Sequence, residues 1–226
     1  MIRSSMSRIT VRQSKALMML SLLLLCVPAH AQDKGKGRQE ALERTRLTKD
    51  IADMESPTRD KWQKPEEVIE ALGVKEGDVV ADVGAGTGYF TFRLAKKVGE
   101  TGKVYAVDRE EDFLDYIRKK MVKKGVKNII PVLSTQSGPN LPRSCCDALL
   151  LVSTYGELYS PVEFMKNARS TLKPGGRVAI INAKPGQIFP LFEVPEKEVI
   201  LKMEASGYRF VKKYDFLQYQ FFLVFR

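Results

Sequence analysis

A glycine-rich turn after an apolar run constrains this chain most strongly. Residues 79–83 are apolar apart from Asp82, and Gly84, Gly86 and Gly88 follow at alternate positions. Glycines in this spacing let the backbone turn sharply and come within contact distance of a ligand, where a Cβ atom would intrude. The junction of a first strand and a first helix is also where an open parallel sheet binds its ligand. The sequence therefore predicts an α/β fold with a ligand site at this turn.

The sequence around the turn alternates between two patterns. Short runs rich in β-branched residues predict strands over residues 79–83, 103–107, 129–133, 148–152 and 177–181. Longer amphipathic runs between them predict helices over residues 90–98, 110–124 and 162–172, and a Lys-Pro-Gly-Gly turn at 173–176 ends the last helix. Strands of this kind, separated by crossover helices, form a parallel sheet that is covered on both faces.

The last third of the chain changes character. A predicted helix over residues 196–206 precedes two β-rich runs, at 209–214 and 218–226, with only a few residues between them. So short a connection allows only an antiparallel hairpin. We therefore expect the parallel sheet to be closed by an antiparallel strand.

The first 31 residues are typical of a signal peptide. Basic residues precede an apolar run over residues 16–27, and Ala29 and Ala31 are the small residues that a signal peptidase requires. The apolar run is shorter than the roughly 20 residues that span a bilayer. The sequence thus predicts an exported, periplasmic or secreted protein that begins at Gln32 and has no stable membrane span. An uncleaved membrane anchor is the weaker alternative.

The rest of the chain divides into two predicted parts. Residues 32–64 contain a polar linker and a charged helix, over 41–54, that we expect to lie over the main domain as a lid. Residues 65–226 form the main domain, which begins with a helix that starts at Pro65 and stops at Gly73.

Removal of the signal peptide excludes several kinds of chemistry. It takes away four basic residues, which lowers the net charge from +10 to +6, and it takes away His30, the only histidine. The mature chain then has no histidine base and no Ser-His or Cys-His pair. Cys145 and Cys146 alone cannot supply the four ligands of a structural zinc site, so metal-dependent catalysis is disfavoured. Two ordinary thiols are favoured over a strained vicinal disulfide.

Nucleic acid is a disfavoured partner. Much of the basic excess lies in residues 118–124, within a predicted helix, where no aromatic side chains interleave with the charges to stack on bases. A solvated helix face accounts for these charges.

A second acidic residue restricts the class of ligand that the turn could bind. Asp108 ends the second predicted strand, 20 residues after Gly88, where a carboxylate can accept hydrogen bonds from both hydroxyls of a ribose. The nicotinamide fingerprint requires its third glycine one position later, where this chain has Tyr89. With Asp82 beside the turn, the pattern favours a nucleoside that carries an ammonium group over a pyrophosphate. S-adenosylmethionine has this structure.

On these residues the chain resembles the class I S-adenosylmethionine-dependent methyltransferases, including the broad group of the quinone-biosynthesis methyltransferases. The motifs that carry the resemblance are residues 82–88, 107–108, 147–154 and 172–176, and the similarity extends over about 65–226. The resemblance implies a Rossmann-like three-layer sandwich with a seven-stranded, mostly parallel sheet whose last strand is antiparallel. This matches the predicted hairpin.

The resemblance also implies the cofactor-binding residues. The glycines would approach the methionine part, Asp82 its ammonium group and Asp108 the ribose, whereas the residues after the second and third strands would flank the adenine. The complete set is Asp82, Gly84, Ala85, Gly86, Gly88, Asp108, Arg109, Thr135, Gln136 and Ser153.

The end of the fourth strand departs from the family pattern. Relatives often carry an acid near Ser153 and a histidine near Gly156, and both are missing here. Tyr155 and Glu157 remain as candidate catalytic residues, although Tyr155 could equally pack at the sheet edge and Glu157 could begin the next helix. Two hypotheses follow: a methyltransferase for a small or lipid-like acceptor, or a non-catalytic module that binds S-adenosylmethionine or another nucleoside. A nicotinamide oxidoreductase is disfavoured by the glycine spacing.

Overall fold

The computed structural model describes residue 42, residues 45–186 and residues 193–226. The chain divides into two units, residues 1–49 and residues 50–226. The described residues of the first unit are helical. The predicted signal peptide lies outside the described residues, as does the linker at 32–38. No helix in the described part of the chain is long and apolar enough to cross a bilayer.

A seven-stranded sheet organises the second unit, with the strand order β3-β2-β1-β4-β5-β7-β6. Its strands are β1 (Val79–Val83), β2 (Lys103–Asp108), β3 (Ile129–Leu133), β4 (Cys146–Val152), β5 (Leu172–Ala183), β6 (Phe210–Tyr214) and β7 (Gln220–Phe225). The pairs among β1 to β5 are parallel, whereas β7 runs antiparallel to both β5 and β6. The predicted Rossmann-like fold with an antiparallel last strand is confirmed.

The described residues 45–54 are helical. Of the other helices, two precede the sheet and four connect its strands. They are α1 (Arg59–Gln63), α2 (Pro65–Leu72), α3 (Tyr89–Val98), α4 (Glu111–Lys124), α5 (Pro161–Arg169) and α6 (Glu196–Ala205), with a 3₁₀ turn at Tyr155–Glu157. Helix α2 shows how the local sequence sets the ends of a helix. It begins at a proline, two acids follow in its first turn, and it ends at Gly73, with φ 73°.

The connection between β4 and β5 corrects one prediction. Helix α5 ends at Arg169, so the predicted helix over 162–172 was too long, and Leu172 already pairs with Cys146. The next pair is Ala148 with Arg177, which places residues 173–176 in an irregularity inside β5 and not in a turn before it. The glycines at 175 and 176 allow the chain to bulge here and to resume its register. Strand β5 is therefore much longer than the predicted 177–181.

Apolar side chains cover both faces of the sheet. One core cluster joins residues of α2, α3 and α4, such as Leu72, Leu94 and Ile117, to the sheet. The other joins α5 and α6, through Phe164 and Met203, to the opposite face. The sheet is thus the middle layer of three, and only the ends of its strands are available for a site.

Candidate functional site

The glycine turn is tied to the neighbouring strand by its own amides. The N–H groups of Gly84 and Ala85 donate to the Val107 carbonyl at 2.8 and 3.0 Å. All three glycines have left-handed backbone angles, with φ of 77° at Gly84, 52° at Gly86 and 78° at Gly88. This conformation favours glycine, so the turn depends on the residues that the sequence singled out.

Close contacts with other parts of the protein explain two of the glycines. A Cβ atom on Gly84 would lie 2.1 Å from the Thr154 hydroxyl oxygen, and one on Gly88 would lie 2.9 Å from the Phe92 ring. Gly86 instead faces the segment before α1, where its Cβ would lie 3.1 Å from the Met54 sulfur. Gly86 is therefore the glycine against which the covering segment packs.

Asp108 lies at the centre of the turn. One of its carboxylate oxygens accepts a hydrogen bond from the Gly86 N–H at 2.8 Å, and the other accepts from the Glu110 N–H at 3.0 Å. The side chain is 7% exposed. A carboxylate has about four lone-pair positions, so two remain for ligand hydroxyls. Asp108 therefore orders the glycine turn, and its role as the ribose ligand stays a prediction.

Asp82 is the second carboxylate at this turn, and it is buried. Its oxygen accepts a hydrogen bond from the Thr91 hydroxyl at 2.6 Å. Burial raises the pKa of Asp82 to about 6, whereas the Thr91 hydrogen bond and the charge of Arg59 act to lower it. A cationic ligand group beside Asp82 would favour the ionised form.

A short segment, residues 54–63, covers the turn. The Arg59 guanidinium lies 3.9 Å from the centroid of the Tyr89 ring, and the Tyr89 hydroxyl donates to Asp60. Lys120 bridges this segment to the turn, because its ammonium group bonds Glu55 at 2.5 Å and the Thr87 carbonyl at 3.3 Å. These contacts hold residues 54–63 against the turn, and the lid role of the predicted helix over 41–54 stays a prediction.

The predicted adenine-side residues lie after β2 and β3. Thr135 forms a tight turn in which its N–H and its hydroxyl both bond the Gly138 carbonyl, at 3.0 and 3.2 Å. Gln136 is exposed within this turn. Arg109 is exposed and pairs with Glu157 at 3.4 Å. The structure thus joins Glu157, from the end of β4, to the residue that follows Asp108.

Ser153 ends β4 in a strained conformation. Its φ is 55°, a left-handed angle that is uncommon outside glycine, and its N–H donates to the Ile181 carbonyl at 2.8 Å. The Ser153 hydroxyl accepts a hydrogen bond from the Gln220 amide at 3.1 Å, and Gln220 in turn accepts one from Gln63 at 3.0 Å. Strain of this kind is concentrated at functional sites.

The two candidate catalytic residues differ in their surroundings. Tyr155 is 2% exposed and packs in the core cluster of α5 and α6, where burial raises the pKa of its hydroxyl. Packing accounts for these contacts, and a catalytic role for Tyr155 stays a prediction. Burial raises the pKa of Glu157, with Arg109 acting against the rise and Asp108 adding to it. Glu157 is therefore close to Arg109, and its catalytic role stays a prediction.

Four residues at this end of the strands were not predicted from the sequence. Thr154 packs against Gly84, Arg59 covers Tyr89, and Gln63 of α1 and Gln220 of β7 are buried partners. Gln63 and Gln220 are 157 positions apart, so no local pattern could pair them. Gln220 precedes an apolar run at the end of the chain, but no comparable local pattern marks Gln63.

Comparison with known proteins decides the family. A family model described as "Methyltransferase domain" matches residues 74–207, more than half of the chain. A crystal structure of a SAM-dependent methyltransferase from Aquifex aeolicus is 32% identical, covers 79% of this chain and 97% of its own, and superposes with a TM-score of 0.74. The chain belongs to the class I S-adenosylmethionine-dependent methyltransferases.

Curated relatives of the methyltransferase include ubiquinone/menaquinone biosynthesis C-methyltransferases UbiE. Those of Escherichia fergusonii and Salmonella arizonae are 27% and 26% identical over 153 residues, which cover 63% of this chain. The match spans 61% of the length of these relatives.

The residues of this methyltransferase fit S-adenosylmethionine. Besides the two carboxylates, the glycine turn contains Thr87, which is 1% exposed and whose hydroxyl has no hydrogen-bond partner among the described residues. A buried hydroxyl is normally paired, so a polar ligand group at this turn would satisfy it. The carboxylates of Asp82 and Asp108 would hold the ammonium group and the ribose, and the cofactor would supply an activated methyl group on a sulfonium.

Proposed function

We propose that the methyltransferase transfers a methyl group to a small or lipid-like acceptor of the quinone type. The observation that carries the proposal is the pair of uncharged side chains directly after β4; the charge of Glu157, three residues further on, is paired with Arg109. The side chains there are Ser153 and Thr154, backed by Gln220 and Gln63, so a charged acceptor would meet no complementary charge among them. The UbiE relatives are named for ubiquinone and menaquinone biosynthesis, which supports the same class of acceptor.

Methyl transfer requires little of the protein beyond holding the two reactants in position. The methyl group is already activated on the sulfonium, and holding two reactants in line can supply up to about 7 to 11 kcal/mol of the barrier. A base is needed only to receive the proton that the acceptor loses. Glu157 is our candidate for that role, because its raised pKa makes it a better proton acceptor than an ordinary exposed carboxylate.

The test is transfer of a labelled methyl group. The mature protein, residues 32–226, is incubated with methyl-labelled cofactor and a reduced naphthoquinone, and the product is isolated by solvent extraction. We expect the label in the naphthoquinone product, and about 10- to 100-fold slower transfer by Glu157→Gln with little change in cofactor affinity. Glu163→Gln, on α5 and away from Arg109, serves as the control.

A non-catalytic binding module is the second candidate. It is favoured by the burial of Tyr155 and by the missing acid and histidine at the end of β4. This candidate predicts binding of S-adenosylhomocysteine with no methyl transfer to any of a panel of phenols, quinols and lipids. Transfer to one member of the panel would eliminate it.

We further propose that the protein is exported. The support is the amino-terminal sequence, in which a basic start, an apolar run and Ala29-His30-Ala31 precede Gln32. Cell fractionation and amino-terminal sequencing test the proposal, and a mature chain that begins at Gln32 is expected. A soluble cytoplasmic chain that retains Met1 would refute it, and a membrane-bound one would indicate the uncleaved anchor.

A further inference from the structure

The half-buried guanidinium of Arg59, above the glycine turn, has N–H donors that form no hydrogen bond within the described part of the chain. Arg59 donates from one terminal nitrogen to the Met54 carbonyl at 2.9 Å and from Nε to the Gln63 side-chain oxygen. A guanidinium has five N–H donors, so three remain after these two bonds. In the described part of the chain no carboxylate forms an ion pair with Arg59, and the neighbouring Asp60 pairs with Arg93 instead, at 2.8 Å.

The surroundings indicate what the remaining donors would bind. Burying a charged group is costly unless an opposite charge or hydrogen bonds compensate. The charges of Asp82 and Glu55 act on Arg59, and the guanidinium covers Tyr89, the residue next to Gly88. Arg59 therefore lies over the first turn of α3, directly after the glycine turn. A carboxylate is the group that best matches the planar fork of a guanidinium.

We propose that Arg59 binds the α-carboxylate of the methionine part of the cofactor, opposite Asp82. Arg59 and Asp82 would then recognise the two charges of an amino acid, the carboxylate and the ammonium group. The inference rests on the cofactor lying at the glycine turn with its ammonium group beside Asp82. It deepens the proposed function, because the site then selects nucleosides that carry an amino acid over nucleosides that do not.

A buried chain of hydrogen bonds positions Arg59. A guanidinium can only donate, so the side-chain oxygen of Gln63 must face it, and the Gln63 amide nitrogen then faces the Gln220 oxygen. The Gln220 amide nitrogen is left to donate to the Ser153 hydroxyl. The donor and the acceptor of each hydrogen bond in this series are thereby fixed, from Arg59 to the end of β4. Gln63 and Gln220 are positioning residues, because they act through Arg59.

The experiment compares two nucleosides by calorimetry on the mature protein. S-adenosylhomocysteine carries the amino acid, and methylthioadenosine lacks it. We expect Arg59→Met to lower the affinity for S-adenosylhomocysteine about 10- to 100-fold and to leave methylthioadenosine binding unchanged. Arg59→Lys should retain part of the selectivity, because it keeps the charge and loses the fork.

Arg93→Met is the matched control. Arg93 lies 4.1 Å from the centroid of the same Tyr89 ring but already has Asp60 as its partner, so its removal should leave the ratio of the two affinities unchanged. Gln220→Leu should lower the ratio by less than Arg59→Met, because it disturbs only the position of the guanidinium. A thermal unfolding midpoint for each variant shows whether it is folded.

The outcomes separate the inference from the proposed function. Equal losses of both affinities in Arg59→Met would mean that Arg59 only holds the lid, and unchanged affinities would mean that it contacts no ligand carboxylate. Either result overturns the inference while wild-type binding stands. Failure of methyl transfer to a quinol would leave this inference intact, whereas no binding of S-adenosylhomocysteine by the wild type would overturn both.

Discussion

The two halves of the site are built differently. At the ends of β1 and β2, the glycine turn and Asp108 lie within 27 consecutive residues and contact one another directly. At the end of β4, Ser153 bonds Gln220 of β7, and Gln220 in turn bonds Gln63 of α1, which precedes the main domain. The half at the glycine turn is therefore specified locally, whereas the half at the end of β4 forms only when distant parts of the chain pack together.

The largest expected effect is on the locally specified turn. Gly84→Ala forces a left-handed angle on alanine and places its Cβ 2.1 Å from the Thr154 hydroxyl oxygen. Strain and overpacking together should lower the free energy of unfolding by about 4 kcal/mol, measured by urea denaturation. Gly175→Ala has φ 79° and no atom within 4 Å, so it carries the strain alone and should cost about 1 kcal/mol. Equal losses in the two variants would show that the Thr154 contact is unimportant.

Asp108→Ala should give the next largest effect, this time on binding. It removes the acceptor for the Gly86 and Glu110 amides together with the ribose contacts. We expect the affinity for S-adenosylhomocysteine to fall about 100-fold in calorimetry, because hydrogen bonds to a charged group contribute about 1.5–3 kcal/mol. Asp112→Ala, in the first turn of α4, is the control. Equal affinity in wild type and Asp108→Ala would remove the ribose role.

The non-local half is tested by a double-mutant cycle on Gln63 and Gln220. Replacing either with leucine leaves the other partner buried and unpaired, which should cost about 1–3 kcal/mol of unfolding free energy. The double variant should cost less than the sum of the two, because it removes both unpaired groups. Simple additivity in urea denaturation would show that the hydrogen bond does not couple α1 to β7.

The smallest effect concerns pH. The pKa of Asp82 is raised to about 6 from 3.8, so the folded state binds more protons than the unfolded state between these values. The contribution of Asp82 to stability is therefore present at low pH and is lost as the pH rises through about 6. Asp82→Asn should gain about 2 kcal/mol of stability relative to wild type between pH 4 and pH 7. A constant difference across that range would mean that the pKa of Asp82 is not raised.

Asp82 also links stability to binding. Its ionised form is the one that would hold an ammonium group, so wild-type affinity for S-adenosylhomocysteine should fall as the pH drops below about 6. Asp82→Asn should bind weakly at every pH. Ionised Asp82 would thus strengthen ligand binding and lower the folding stability, a trade-off that is common at functional sites.

The contrast between the two halves also explains what the sequence could predict. The strand-glycine-acid pattern depends on neighbours in the chain, so the order of elements and the positions of Asp82 and Asp108 follow from local rules. The end of α5 could not be placed, because pairing of Leu172 with Cys146 overrides a helical pattern that continues past Arg169. The role of Gln63 could not be predicted either, because its partners are Arg59 and Gln220, and Gln220 is 157 positions away.

Calorimetric titration of the mature wild-type protein with S-adenosylhomocysteine tests the central claim most directly. We predict saturable binding at one site per chain, competed by S-adenosylmethionine and not by a nicotinamide cofactor. No heat of binding at millimolar nucleoside would contradict the account, since the glycine turn and its two carboxylates would then lack the ligand that their geometry fits.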